Sequence, residues 1–246
     1  MSENFSLPTE IVELPSKGLL YPEGHPLAEG KVEIKYMTAK EEDILTNQNY
    51  IKNGTVIDKL LQSLVVTKFN YDDLLVGDKN AIMIAARILA YGANYEVDYD
   101  GVPQEIDLSL LENKPLDEGL YKDGKNEFIY TLPHTKNEVT FKILTGHDEK
   151  KIDTELKGLK KVSKTSSSEV TTRLARTITS INGSYEFKDI REFVNNYFLA
   201  KDIREFRKYY KQISPDVDMD VTLTNSNEED EVVTLPIGLS FFWPDL

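Results

Sequence analysis

The stretch Val32-Glu33-Ile34-Lys35-Tyr36-Met37-Thr38 alternates apolar and polar residues and runs directly into Ala39-Lys40-Glu41-Glu42-Asp43-Ile44. A period of two marks a half-buried strand. A hydroxyl at Thr38 with a carboxylate at Glu41 has capping-box spacing, in which the two side chains meet otherwise unpaired N–H groups of a first helical turn. The same succession returns at Val139-Thr140-Phe141-Lys142-Ile143-Leu144-Thr145, followed by Gly146-His147-Asp148-Glu149, with Thr145 and Asp148 in the capping positions.

The parallel extends downstream. Val56 to Val66 and Val170 to Ile181 both repeat apolar residues at helical spacing. Asp78 opens a helix through Ala81, Ile82, Ala85, Ile88 and Leu89 that Gly92 closes; Asp202 opens its counterpart through Ile203, Phe206 and Tyr210, stopped by Pro215. Each is followed by two alternating strands. The first pair is Tyr95 to Tyr99 and Glu105 to Leu108 around Asp100-Gly101; the second is Val217 to Leu223 and Glu231 to Leu235. An extra amphipathic helix, with Phe187, Ile190, Val194 and Phe198 on one face, is expected only in the second half.

Upstream of the first strand, residues 1–30 hold four prolines and three glycines with no helical or strand period. Proline fixes φ and removes a donor, so this segment reads as an extended or turn-rich arm. The expected fold is therefore α+β and mainly helical, with two β-hairpins. It is built from two similar strand–helices–hairpin halves and an extended N-terminal arm. The expected divisions are 1–30 for the arm, 31–112 for the first half, 113–137 for a connecting segment, and 138–246 for the second half with its aromatic tail.

Composition bounds the function. The chain has 246 residues, 40% of them hydrophobic, which suffices for a sizeable core. It has no cysteine, which excludes a disulfide framework, a cysteine-based zinc site and a cysteine nucleophile. The net charge of −13 opposes wholesale binding to nucleic-acid phosphates or anionic membranes. The start, MSENFSLPTE, has neither a basic region nor an apolar core, so no signal peptide is expected. The longest apolar run, Ala81 to Ala86, is ended by Arg87 and is too short to span a bilayer. A reducing, cytoplasmic location is expected.

The charge is unevenly spread. Lys150 to Lys211 holds 15 basic against 8 acidic residues, within an acidic background. Its densest part is Lys157, Lys160, Lys161, Lys164, Arg173 and Arg176. Interleaved acids favour solvated helix faces over a binding footprint. No aromatics alternate with these residues to stack bases, so nucleic-acid binding through 157–176 is the weaker alternative.

No catalytic constellation emerges. The chain lacks a G-x-S-x-G elbow, a phosphate loop, a dinucleotide fingerprint and an H-E-x-x-H pair. His25, His134 and His147 lie in expected loops or first turns, and none pairs with another at ligand spacing. Asp216, Asp218 and Asp220 alternate with Val217 and Met219, which is the wet face of a strand and not a calcium loop. No catalytic, cofactor-binding or metal residue is expected.

Two apolar clusters suggest partner binding. Leu14, Leu19, Leu20 and Tyr21 in the arm need a surface to lie against, either the body or a partner. Phe241, Phe242 and Trp243 end the chain on adjacent aromatics. They either fold back to seal the second hairpin or dock on another protein, since buried aromatics dominate interface energetics.

Several of these segments also carry a resemblance. Leu14-Pro15-Ser16-Lys17-Gly18-Leu19-Leu20-Tyr21-Pro22 leads to Met37-Thr38-Ala39-Lys40-Glu41-Glu42-Asp43-Ile44-Leu45. Leu74-Leu75-Val76-Gly77-Asp78, Tyr91-Gly92-Ala93-Asn94-Tyr95 and Phe241-Phe242-Trp243-Pro244 follow in order. Together they resemble the baseplate hub assembly protein and hub subunit family of T-even-type contractile-tailed bacteriophages. The resemblance implies a non-enzymatic role in forming the central hub in the host cytoplasm, with other phage baseplate hub proteins as partners. A permanent place in the virion is the alternative it implies.

Overall fold

The computed structural model describes residues 7–121, 124–162 and 168–242. Its first element, β1 (Thr9–Glu13), pairs antiparallel with β2 (Lys31–Lys35), from Thr9 opposite Lys35 to Glu13 opposite Lys31. β2 is the expected strand; Val32 and Ile34 point into the core. Within the described residues of the 1–30 segment, the arm expected to be extended or turn-rich is a strand followed by turns, and the strand is paired in a hairpin. The turns that follow bury Leu14, Leu20, Tyr21 and Leu27 in the protein's own core. The physical reason lies in the apolar content noted above, which the body itself absorbs.

Helices α1 (Ala39–Leu45), α2 (Gln48–Asn53), α3 (Val56–Leu64) and α4 (Val76–Tyr91) follow, then the hairpin β3 (Asn94–Tyr99) and β4 (Val102–Asp107). Asp100 and Gly101 both take positive φ, 53° and 78°, as a two-residue hairpin turn requires. A third hairpin opens the other half: β5 (Phe128–Thr131) pairs antiparallel with β6 (Glu138–Phe141). Then come α5 (Gly146–Val162), α6 (Glu169–Thr177), β7 (Ile178–Ile181), α7 (Phe187–Asn196), α8 (Ala200–Ile213), and the hairpin β8 (Asp220–Thr224) and β9 (Asp230–Thr234).

The fold is α+β, with eight α-helices and small antiparallel sheets among the described residues. Three expectations shift. The boundaries at 31 and 138 each cut a hairpin, because β1 and β5 lie upstream of them. The helix expected through Ile181 stops at Thr177, and the β-branched run Ile178-Thr179 turns to pair with β6 as β7. The helices at Asp78 and Asp202 start two residues earlier, so both aspartates stand in the first turn and not at the cap.

One hydrophobic core runs through both halves. Around Phe206 it includes Phe141, Phe198, Tyr130 and Tyr210, with ring centroids 5.1 to 6.3 Å away. The halves are joined by backbone: Leu75 bridges Thr145, with Gly146 N donating to Leu74 O at 2.9 Å. Farther out, Gln104 of β4 exchanges two 2.8 Å hydrogen bonds with the Thr224 backbone of β8, seating one distal hairpin on the other.

Candidate functional site

The buried charges reveal how the body is held. Glu41 is fully buried and accepts from Lys35 Nζ (2.8 Å), Ser63 Oγ (2.7 Å), and the Thr38 N–H (3.0 Å) and hydroxyl (2.7 Å). In the second half Asp148 accepts from Lys142 Nζ (2.6 Å) and from the Thr145 N–H (3.2 Å) and hydroxyl (3.1 Å). The expected capping box forms at Thr38–Glu41. At Thr145 the Asp148 carboxylate reaches back to the N-cap N–H and hydroxyl. Each carboxylate also meets a lysine, Lys35 ending β2 and Lys142 just after the strand Glu138–Phe141.

Asp78 and Asp202 form a second matched pair. Asp78 accepts from Ser16 N–H (2.9 Å), Ser16 Oγ (2.7 Å) and the Tyr21 hydroxyl (2.7 Å) in the β1–β2 turn. Asp202 accepts from His134 N–H (2.8 Å), Thr135 N–H (3.1 Å) and Thr135 Oγ1 (2.8 Å) in the β5–β6 turn. Burial pushes the Asp78 carboxyl up from its ordinary value and its donors do not fully offset that. At Asp202 burial also pushes upward, but the His134 and Thr135 donors outweigh it and hold the carboxyl low. Each aspartate thus ties a helix to the hairpin turn that precedes it by some sixty residues.

A pH experiment follows from Glu41. Burial pushes its carboxyl up, but the Lys35, Ser63 and Thr38 donors outweigh burial and bring it down to about 2 from 4.5. A carboxylate with a depressed pKa stabilises the fold above its unfolded pKa and loses that contribution as pH falls through the folded one. The gap corresponds to about 3 kcal/mol, lost between about pH 4.5 and pH 2. Urea unfolding across that range should show Glu41→Gln less stable at neutral pH and less sensitive to acid. Parallel pH curves for the two proteins would remove Glu41 from this role.

A third clamp was missed from sequence. Arg87 in α4 is buried and donates to three backbone carbonyls: Phe241 (Nε, 3.0 Å), Gly92 (Nη1, 3.0 Å) and Asn94 (Nη2, 3.4 Å). Its guanidinium also lies 5.1 Å from the Tyr91 ring and 5.7 Å from Tyr95. The signal was present: a lone cation within the most apolar helix must find acceptors or carry a large desolvation cost.

Most of the candidate docking residues lie in the chain's own core. Leu14, Leu20 and Tyr21 are buried, and Leu19 packs partly buried against the core. Phe241 and Phe242 are also buried, stacked edge-on to each other, with Phe241 against Tyr95 at 5.1 Å. The aromatic segment therefore folds back, with Phe241 set against α4 and β3 of the first half. Trp243 lies outside the described residues. Side chains buried to this degree are core, so removing 4–21 or 241–246 would strip core contacts as well as any docking surface.

The other singled-out residues are placed as follows. Arg173 meets Glu149 through two hydrogen bonds of 2.5 and 3.1 Å; Arg176 and Arg191 share Glu155; Lys157 pairs with Asp153. Much of the basic segment is thus ion-paired, and Lys164 lies outside the described residues. His25 and His147 approach opposite oxygens of Asp73, at 3.6 and 3.1 Å, while His134 is exposed. Among the described residues no group of three or more histidines, aspartates and glutamates is arranged to hold a metal ion.

The buried charges are thus spent on joining elements, and the clamps organise a scaffold. Comparison with known families bears on what the scaffold serves. A family model described as T4 bacteriophage base plate protein matches residues 8–243. The chain belongs to that family. No curated protein and no solved structure matches it. The base plate family places the chain among other baseplate proteins as partners, and in the virion or in the host cytoplasm where it is made. No helix among the described residues of this base plate protein is long and apolar enough to cross a membrane.

Proposed function

We propose that this base plate protein is a non-enzymatic assembly factor for the central hub of the phage tail baseplate, acting by protein–protein binding. The family match over residues 8–243 carries the reading, because it ties nearly the whole chain to baseplates. The ordered segments that resemble hub proteins, from Leu14 to Pro244, support the hub as its place of action. The consumption of the buried carboxylates and Arg87 in internal clamps is consistent with a scaffold and not with a reaction centre.

The two halves are proposed to derive from an internal duplication. Support comes from paired contacts at matching places: Lys35–Glu41 with Lys142–Asp148, and Ser16–Asp78 with Thr135–Asp202.

Quantitative mass spectrometry of purified virions, set beside co-purification from infected cells early and late in tail assembly, tests the role. An assembly factor should associate with hub proteins early and be substoichiometric in finished particles. Stoichiometric peptides in virions would make it a permanent hub subunit instead. Association only with peripheral baseplate proteins would overturn the hub assignment.

A further inference from the structure

Each half contains a strand edge left open at the same place. In the first half β2 is covered on one side by residues 65–67: Ile34 bridges Val65, and Val66 N donates to Glu33 O at 2.8 Å. Its other neighbour is β1. In the second half β6 is covered on one side by β7 and on the other by β5. Among the described residues the outer edges of β1 and β5 carry no further strand.

Hydrogen-bond phase identifies what those edges present. Leu14 N donates to Gly30 O at 2.8 Å and Tyr36 N to Pro8 O at 3.3 Å, so the even-numbered residues of β1 face β2. The N–H and C=O groups of Thr9, Ile11 and Glu13 therefore point outward. Leu132 N donates to Asn137 O at 2.9 Å, which likewise leaves those of Ile129 and Thr131 outward. Among the described residues none of these groups has a hydrogen-bond partner.

Side chains repeat the match. Ile11 stands opposite Glu33, two residues before Lys35 of the first clamp; Ile129 stands opposite Thr140, two residues before Lys142 of the second. They are 65% and 64% exposed. Open edges are normally blunted by charge, proline or cover, and here both centre on an exposed isoleucine.

We infer that the β1 and β5 edges are two equivalent strand-addition sites for an extended, basic segment of another protein, joined through outward main-chain groups and the Ile11 and Ile129 side chains. The inference rests on the protein-binding role above for taking a protein as occupant. Charge selects its chemistry. Glu10 and Glu33 flank the first edge and neither makes an ion pair among the described residues. At the second edge Glu127 and Glu138 stand beside Lys125 and Lys136, also without ion pairs there, so the first edge carries the stronger negative charge. Glu13, also on the first edge, faces Lys31 at 3.8 Å. A segment with lysine or arginine alternating with β-branched residues complements both backbone and charge. A second copy fits less well: it brings the same acidic edges, and strands of five and four residues alone are far smaller than a standard interface.

The test uses the full-length chain and a blocked heptapeptide, Lys-Val-Lys-Val-Lys-Val-Lys, with amide exchange followed by NMR. Saturating peptide should slow exchange at Thr9, Ile11, Glu13, Ile129 and Thr131 by about tenfold or more, as strand pairing protects amides. Ile11→Pro should abolish protection at the first edge alone, and Ile129→Pro at the second alone. Both prolines remove outward N–H groups and leave the inner ladder intact. Should either proline variant unfold, Ile11→Lys and Ile129→Lys provide the same comparison, weakening the basic peptide by about tenfold through repulsion.

Failure of the basic peptide to protect these amides overturns the inference, as does equal protection by Glu-Val-Glu-Val-Glu-Val-Glu. Concentration-dependent protection without peptide, lost in Ile11→Pro, would assign the edges to a second copy and also overturn it. None of these results touches the hub-assembly role, which the virion and co-purification measurements decide separately.

Discussion

Arg87→Met is expected to lower the free energy of unfolding by about 3–5 kcal/mol, because it removes a buried cation on which three backbone carbonyls depend. Methionine retains the stem length that packs within α4, so lost volume contributes little. What disappears is the set of donors to Phe241, Gly92 and Asn94 and the cation facing Tyr91 and Tyr95. Gly92 and Asn94 lie where α4 passes into β3, whereas Phe241 comes from the far end of the chain. A single side chain thus fixes the helix end, the start of a hairpin and the C-terminal segment at once. Urea unfolding should show the loss, and limited proteolysis should cut first near Phe241. A variant within about 1 kcal/mol of the parent, with the C-terminal segment still protected, would mean that packing of Phe241 and Phe242 alone holds it.

The same clamp illustrates what sequence patterning conveys. Period-two alternation in Val32–Lys35 and Val139–Phe141, and the capping spacings Thr38–Glu41 and Thr145–Asp148, are local signals, and both came through as strand and capped helix. Asp100-Gly101 likewise dictates its turn through the positive φ both residues accept. Partnership at long separation has no such local mark. In sequence β1 belongs to an extended or turn-rich segment, because prolines and glycines surround five residues whose pairing depends on β2, about twenty residues on. Ile178–Ile181 continues a helical spacing, yet its β-branched residues gain more by pairing with β6. Asp78 and Asp202 looked like caps, since an acid in a first turn suits the helix dipole. Their actual donors, in turns near Ser16 and Thr135, are set by tertiary packing.

The apolar clusters pose a related question. An apolar cluster in sequence shows that surface must be buried but not against what, and Leu14, Leu20, Tyr21, Phe241 and Phe242 are buried against their own chain. Ile11 counts in sequence only as one more apolar residue of the N-terminal segment, and Ile129 as a single apolar residue among others. Only the direction of their backbone hydrogen bonds makes them conspicuous.

The junction between the halves yields the other large effect. Gly77 sits in the first turn of α4 beside Pro215, and a Cβ built there would overlap the Pro215 carbonyl oxygen, lying 2.7 Å from its carbon and 2.9 Å from Asp216 Cα. The obstructing atoms are backbone, so no side-chain rotation relieves the overlap; α4 and the segment after α8 must separate. Gly77→Ala is therefore expected to destabilise by about 3 kcal/mol or more, above the usual range for overpacking by one methyl. Helix propensity acts in the opposite direction, since alanine is favoured over glycine by up to about 1 kcal/mol in a helix interior. Gly158 in α5 isolates that term: it is exposed, and a Cβ there meets nothing within 4 Å. Gly158→Ala should stabilise by about 0.5–1 kcal/mol. The same chemical change thus carries opposite signs in two helices, and urea unfolding of both variants measures the difference directly. If Gly77→Ala instead matches Gly158→Ala, the approach of α4 to Pro215 is not a fixed contact between the halves. The Leu75–Thr145 bridge, the Gln104–Thr224 pair and the Arg87–Phe241 bond would then be the contacts that join them.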